Sequence, residues 1–280
     1  SSCTGGELAA PGLASGGIRA YLSVVRAGVV GDDGSTDDWR QRAEPMLTEL
    51  CCQVIDIKAN RASEARNLIN EYICKHIPRV CLVVRLDADD MFAGDTVLEQ
   101  VERIYKEERP DVILGGNGYI DTDKEVGRIN VATRQLMKRS YLLDRLKKMC
   151  ALQFEAELPS CNLVMTPRAM ERYPDIPSAE DHFLLVHYLL HQSVFKVHCA
   201  PDLILEYYSL NGDVTSENRQ SGAYRDARVR LYGTAMFLAN VGVEESLIYL
   251  GQGQEGVVFR SREYVYKVHF VTTGSYHLLQ

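Results

Sequence analysis

The first third of this chain alternates short apolar runs with helical patterns, and that alternation limits its fold more than any other feature. Runs rich in Val, Ile and Leu stand at Gly28 to Gly31, Gln53 to Ile57 and Val80 to Leu86. Each is short, continuous and apolar, as a strand covered on both faces should be. The segments between them read as helices. One begins near Trp39, where Ser35, Thr36, Asp37 and Asp38 offer side-chain oxygens for its first unpaired N–H groups. A second begins near Ser63 and carries Ala62, Ala65, Leu68, Ile69 and Tyr72 at near-helical spacing. This is the βαβ rhythm of a parallel sheet, so the expected class is α/β.

Farther along, a helix is expected from about Asp95 to Glu108 and a strand around Val112 to Leu114. From Thr133 to Cys150 the sequence is basic and helical, with Arg134, Lys138, Arg139, Arg145, Lys147 and Lys148. The plainer reading of that basic stretch, 134–148, is a solvated helix face, and the sharper one is peripheral contact with a membrane headgroup layer or an anionic acceptor. Asn162 to Thr166 reads as a strand, Asp181 to His191 as a helix, and Val194 to Cys199 as another strand.

Composition narrows the function classes. With 46% apolar and 25% charged residues the chain is an ordinary globular one. A net charge of −7 leaves no general attraction for polyanions, which argues against a nucleic-acid partner. No apolar stretch reaches the roughly 20 residues that span a bilayer. Eight cysteines without paired CxxC spacing, and no signal peptide in view, read as reduced thiols of a cytoplasmic protein, with Cys51 and Cys52 as buried helix positions. The chain opens at Ser1 rather than Met and ends soon after a new glycine-rich signal begins, which reads as processing or as a piece of a longer chain.

Three acidic clusters carry the chemistry. Asp32-Asp33-Gly34-Ser35-Thr36-Asp37 follows an apolar strand and precedes a helix. In an open parallel sheet, ligands bind beyond the C-terminal ends of strands, although Asp, Gly and Ser are also ordinary loop formers. Asp87-Ala88-Asp89-Asp90 again ends an apolar strand. Alternating carboxylates on an extended turn can present two oxygens to one hard cation, which fills its shell with water and substrate phosphate. Glu180-Asp181 precedes the apolar helical run Phe183 to Leu190, where acidity also suits the helix dipole without any further role.

Taken in order, DDGSTD at 32–37, NRASEARN at 60–67, DADD at 87–90 and ED at 180–181 resemble the motifs of family 2 glycosyltransferases, over roughly residues 1–210. The resemblance implies a GT-A nucleotide-diphospho-sugar transferase fold with a mostly parallel central sheet. It implies that Asp32 or Asp33 contacts the nucleotide base or ribose, and that Asn60, Arg66 and Asn67 lie against the nucleotide. Asp87 and Asp89 match the DxD pair, with Asp89 the direct ligand of Mn²⁺ or Mg²⁺ and Asp87 also facing the sugar nucleotide. Asp181 matches the catalytic base. The implied partners are a nucleoside-diphosphate sugar donor and a saccharide, lipid-linked or protein hydroxyl acceptor, and the implied reaction is a metal-dependent inverting transfer.

Two places depart from the family pattern. Ser1-Ser2-Cys3-Thr4 looks like the turn after an opening strand that is not in the sequence, and Tyr207-Tyr208-Ser209-Leu210-Asn211 stands where members carry an aromatic, basic and histidine-containing segment. No third metal ligand follows from it.

The last part differs in kind. Gly251-Gln252-Gly253-Gln254-Glu255-Gly256, then Val258 and the strand lysine of Val265-Tyr266-Lys267-Val268, resembles the opening strands of a protein-kinase-like fold. There a glycine-rich loop covers phosphates and the lysine pairs with them. Gly251, Gly253, Gly256 and Lys267 are thus a second candidate phosphate site, with a glycine-rich β-hairpin as the plainer reading. The expected organisation is a GT-A-like domain over 1–210, a helical connector over 211–243, and a kinase N-lobe-like β fragment over 244–280. The rivals to transfer are a nucleotidyltransferase and a non-catalytic sugar-nucleotide-binding module attached to the kinase-like piece.

Overall fold

A computed structural model describes residues 28–77, 79–120, 126–150, 158–159, 163–209, 218, 220–241, 248–252, 256–260 and 264–269. It shows a mixed α/β protein with six α-helices among those residues. The first parallel pair is β1 (Gly28–Asp32) with β2 (Cys52–Asp56), flanked by helices α1 (Trp39–Glu49) and α2 (Ala62–His76). Gly31 lets this pair pack closely, since a Cβ there would lie 2.6 Å from the Ile69 side chain of α2.

The larger sheet has six strands: β3 (Val83–Val84), β4 (Met91–Phe92), β5 (Val112–Ile120), β6 (Val126–Asn130), β7 (Val164–Met165) and β8 (Val197–Ser209). Their order is β3-β7-β5-β8-β4, with β6 also on β5. Only β5 and β8 run parallel; the β3–β7, β5–β7, β4–β8 and β5–β6 pairs are antiparallel. The mostly parallel central sheet is therefore not what these pairings show. The βαβ rhythm governs the first third, and beyond β5 the chain turns back on itself through β6 and β7.

Alternation along β5 builds a core on each side of this sheet. Ile113 joins Phe92, Leu98, Val101, Leu203 and Leu205 beneath helix α3 (Val97–Glu108), whose buried residues are Val97, Leu98 and Val101. Val112 and Leu114 join Leu142 and Leu146 of helix α4 (Arg139–Cys150), Leu184, Leu185 and Tyr188 of helix α5 (Glu180–Leu190), and Leu231 of helix α6 (Ala223–Val241). Burying each such side chain contributes about 1.5–3 kcal/mol. The 13-residue β8 runs well past the expected end at Cys199 because Leu203 and Leu205 continue the core. Between Gly116 and Asn117 the register on β8 slips by one residue. Gly116 sits at a crowded point of the sheet, where a Cβ would lie 2.7 Å from the Asn130 carbonyl oxygen.

Two local expectations change. Cys51 is exposed with a positive φ of 51°, and Cys52 opens β2, so neither is a buried helix position. The most buried residues of α2 are Ser63, Asn67, Asn70 and Ile73 rather than the expected apolar set, so its inner face is largely polar. In α4, Leu142, Leu146 and Met149 are buried while Arg139, Lys147 and Lys148 face outward, the arrangement of a solvated basic face. Arg134 precedes it in a short 3-10 turn, Arg134–Met137. Among the described residues no helix is long and apolar enough to cross a membrane.

Strands β9 (Ile248–Gln252), β10 (Gly256–Arg260) and β11 (Val265–His269) form an antiparallel sheet of their own, against which α6 packs.

Candidate functional site

The DDGSTD loop leaves β1 at Asp32, and Gly34, with φ of 76°, makes the turn in a backbone conformation open to glycine. Asp32 is buried and saturated by its own chain. It accepts the Ser35 backbone N–H at 2.9 Å, the Trp39 indole N–H at 3.3 Å and the Arg40 Nε–H at 2.8 Å. The Ser35 hydrogen bonds, reinforced by Arg40, hold its carboxyl at about 2. Arg40 also reaches Asp56 at the end of β2, so the loop is tied across both strands. Asp33 is exposed and accepts the Ala59 backbone N–H at 2.7 Å. Of the two, Asp33 is the one presented to solvent. Asp38 flanks α1 without capping it and pairs instead with Arg42 at 2.8 Å.

The NRASEARN segment opens α2. Glu64 accepts from the Asn60 backbone at 2.8 Å and from its amide at 3.1 Å, tying the residue before the helix start back to the first turn. Asn67 is spent on another segment: its amide donates to the Tyr173 carbonyl at 3.0 Å and its oxygen accepts the Tyr173 N–H at 2.8 Å. Arg66 lies between them in sequence and does something different. Its Nη2 donates to Asp87 Oδ2 at 2.7 Å and its Nη1 pairs with Glu180. One guanidinium therefore joins three of the four motifs.

The DADD turn is closed by the Asp90 N–H donating to the Asp87 carbonyl at 3.1 Å and runs directly into β4. Asp87 is partly exposed and Asp89 fully so. Glu180 and Asp181 are both buried at the start of α5, where Ala179 adopts a left-handed conformation with φ of 61°. Burial and the neighbouring Asp181 carboxylate raise the Glu180 pKa, while Arg66 pulls it back.

Two residues of this junction were not singled out from the sequence. Tyr173 presents its ring to Arg66 at 5.6 Å and to Arg85 at 4.7 Å. Arg85 is held by Asn70, to which its Nη2 donates at 2.9 Å, while its Nη1 and the Tyr173 hydroxyl are buried without hydrogen-bond partners among the described residues. Burial lowers the pKa of Arg85. Glu180 was read as part of the ED motif, and its pairing with Arg66 is what the structure adds. The available signal for Arg85 was a charge inside the apolar run Val80 to Leu86; Tyr173 had none.

Among the described residues no group of three or more His, Cys, Asp or Glu gathers as a metal cage. Asp87 and Asp89 on one turn fit a different donor set, the partial oxygen shell of a hard cation that takes its remaining ligands from phosphate and water. A shallow open hollow of about 380 Å³, lined by Arg40, Gln41, Glu44, Leu47, Thr48, Cys52 and Val54, includes none of the Arg66 junction.

In the C-terminal sheet, Gly251 and Lys267 both pair with Val258, one from each side, so they occupy a single row across three strands. Gly256 opens β10, and Gly253 lies outside the described residues. Leu210 and Asn211 also lie outside them, as does the Ser1 to Thr4 turn.

No protein-family model matches this chain, and comparison with curated proteins finds no match. The functional reading rests on the motifs and on the junction they form.

Proposed function

We propose that the protein is a metal-dependent inverting glycosyltransferase of the GT-A type, moving a sugar from a nucleoside-diphosphate donor to a hydroxyl acceptor. The observation that supports this best is the Arg66 junction, which gathers NRASEARN, DADD and ED although 114 residues separate Arg66 from Glu180. The junction supports the reading because it brings together in space three of the motifs whose order in the sequence suggested it.

On this reading Asp33, Asn60 and Arg66 face the nucleotide, while Asp87 and Asp89 would hold the cation. The cation, Mn²⁺ or Mg²⁺, would supply Lewis-acid stabilisation of the charge that grows on the departing diphosphate. Asp181 takes the proton from the acceptor hydroxyl as its oxygen attacks the anomeric carbon. The bond from that carbon to the diphosphate breaks on the opposite face, which inverts the centre in one displacement. Glu180, paired with Arg66, fixes the start of α5 and so the place of Asp181. Asp32 and Asn67 act through the backbone, the first holding the DDGSTD loop and the second holding Tyr173.

The test is a panel of nucleoside-diphosphate sugars incubated with the protein and Mn²⁺, with released nucleoside diphosphate as readout. Release that requires the metal and falls by about 10²–10⁴-fold in Asp181→Asn, with donor affinity unchanged, is the expected result. Release of pyrophosphate would instead mark a nucleotidyltransferase, and donor binding without any release a non-catalytic module.

A further inference from the structure

The Arg66 guanidinium holds one oxygen of a carboxylate in the proposed cation pair. Its side chain is 11% exposed, against 35% for Asp87 and 12% for Glu180, so solvent screens the arrangement poorly. The oxygen it holds, Asp87 Oδ2, belongs to the proposed cation pair. Two cations cannot both take that oxygen without strong repulsion, so Arg66 and the metal compete for it.

Arg66 also has little room to withdraw. Arg85 carries a second guanidinium on the same Tyr173 ring, and like charges oppose any move of Arg66 toward it. What draws an arginine out of such a position is an anion that matches its fork, and a diphosphate does so with two parallel hydrogen bonds. Capture of Arg66 by diphosphate frees Asp87.

We propose that Arg66 is an internal cation that holds Asp87 closed to metal until a diphosphate claims the guanidinium, so that diphosphate and divalent cation bind the site in mutual dependence. The inference rests on the reading of Asp87 and Asp89 as the cation pair. It adds a binding order to that reading: the cation alone is refused, and the coupling is reciprocal, since whatever the diphosphate does for the metal the metal does for the diphosphate.

The test uses Mn²⁺ alone as probe, followed by electron paramagnetic resonance of the free ion, with the full chain and no anion present. Arg66→Gln should bind Mn²⁺ at least about tenfold more tightly than the unmodified protein, because a positive charge beside the ligand oxygen is gone. The gain should vanish in Arg66→Gln combined with Asp87→Asn. Inorganic pyrophosphate, titrated calorimetrically with chelator present, should bind the unmodified protein and lose at least about tenfold in Arg66→Gln. Equal or weaker Mn²⁺ binding in Arg66→Gln, or tight Mn²⁺ binding by the unmodified protein without anion, overturns the proposal while Asp89-dependent Mn²⁺ binding keeps the cation pair. Mn²⁺ binding that ignores both Asp87→Asn and Asp89→Ala overturns the cation pair itself. Should Arg66→Gln lose its helical circular dichroism, Arg66→Lys carries the same comparison: a lysine cannot fork to both carboxylates, so a gain of about threefold is expected and none overturns the proposal.

Discussion

Asp32 and Asp33 are chemically identical neighbours, yet one is buried under donors from its own loop and the other is exposed. The sequence marks both as strand-end carboxylates and leaves the choice between them open. What separates them is side-chain direction, which depends on where Trp39 and Arg40 of the following helix come to rest. A similar contrast concerns His187, which packs between the rings of Tyr188, His191 and Phe195. Desolvation, helped by His191, lowers its pKa to about 4. The folded form thus stays neutral where the unfolded chain, near the ordinary 6.5, already takes a proton. Stability is full above about pH 6.5 and falls as the pH drops toward 4. Urea midpoints measured across that window should decline, and His187→Phe should flatten the decline; an unchanged slope would remove His187 as its source. Asp32 acts in a lower window, losing its contribution as the pH falls from about 4 through 2.

At the scale of elements, the strand and helix positions of the first third were legible because apolar period and loop chemistry agree there. The inward face of α2 was not. Its apolar residues at near-helical spacing suggest one buried stripe, but Ser63, Asn67 and Asn70 turn inward, Asn67 against the Tyr173 main chain and Asn70 against Arg85. Asn67 shows the energetic weight of this choice. Both halves of its amide are matched to the Tyr173 main chain, so Asn67→Ala removes two hydrogen bonds and strands two backbone groups. A loss of about 2–3 kcal/mol in urea unfolding is expected. Asn60→Ala, at an exposed helix start, should cost about 1 kcal/mol or less. Equal costs would mean that the Tyr173 clamp contributes nothing special. The ED motif was readable as helix-start acidity, whereas its pairing with Arg66 spans 114 positions of chain and depends on a sheet whose strand directions the local pattern does not encode.

For the molecule as a whole, the class was readable and the sheet was not, since the antiparallel returns through β6 and β7 rest on register rather than on local composition. The C-terminal strands were readable from their two-residue apolar spacing. Their resemblance to a phosphate-binding lobe makes a separate prediction. On the described strands Gly251, Gly256 and Lys267 have no metal-holding carboxylate among them, so Mg-ATP should bind no tighter than about millimolar, with Lys267→Ala unchanged in calorimetry. Micromolar binding lost in that variant would show a formed nucleotide site. The same lysine has another consequence. Among the described residues β9 and β11 are the two margins of their sheet, and Tyr264 and Val265 are half exposed at the start of β11. A bare strand margin invites the backbone of a second molecule to add to it. Lys267 is exposed within β11 and puts a basic side chain on that margin, the kind of residue that discourages edge-to-edge pairing. A lysine at that margin bears on strand-to-strand addition whatever it does for phosphate.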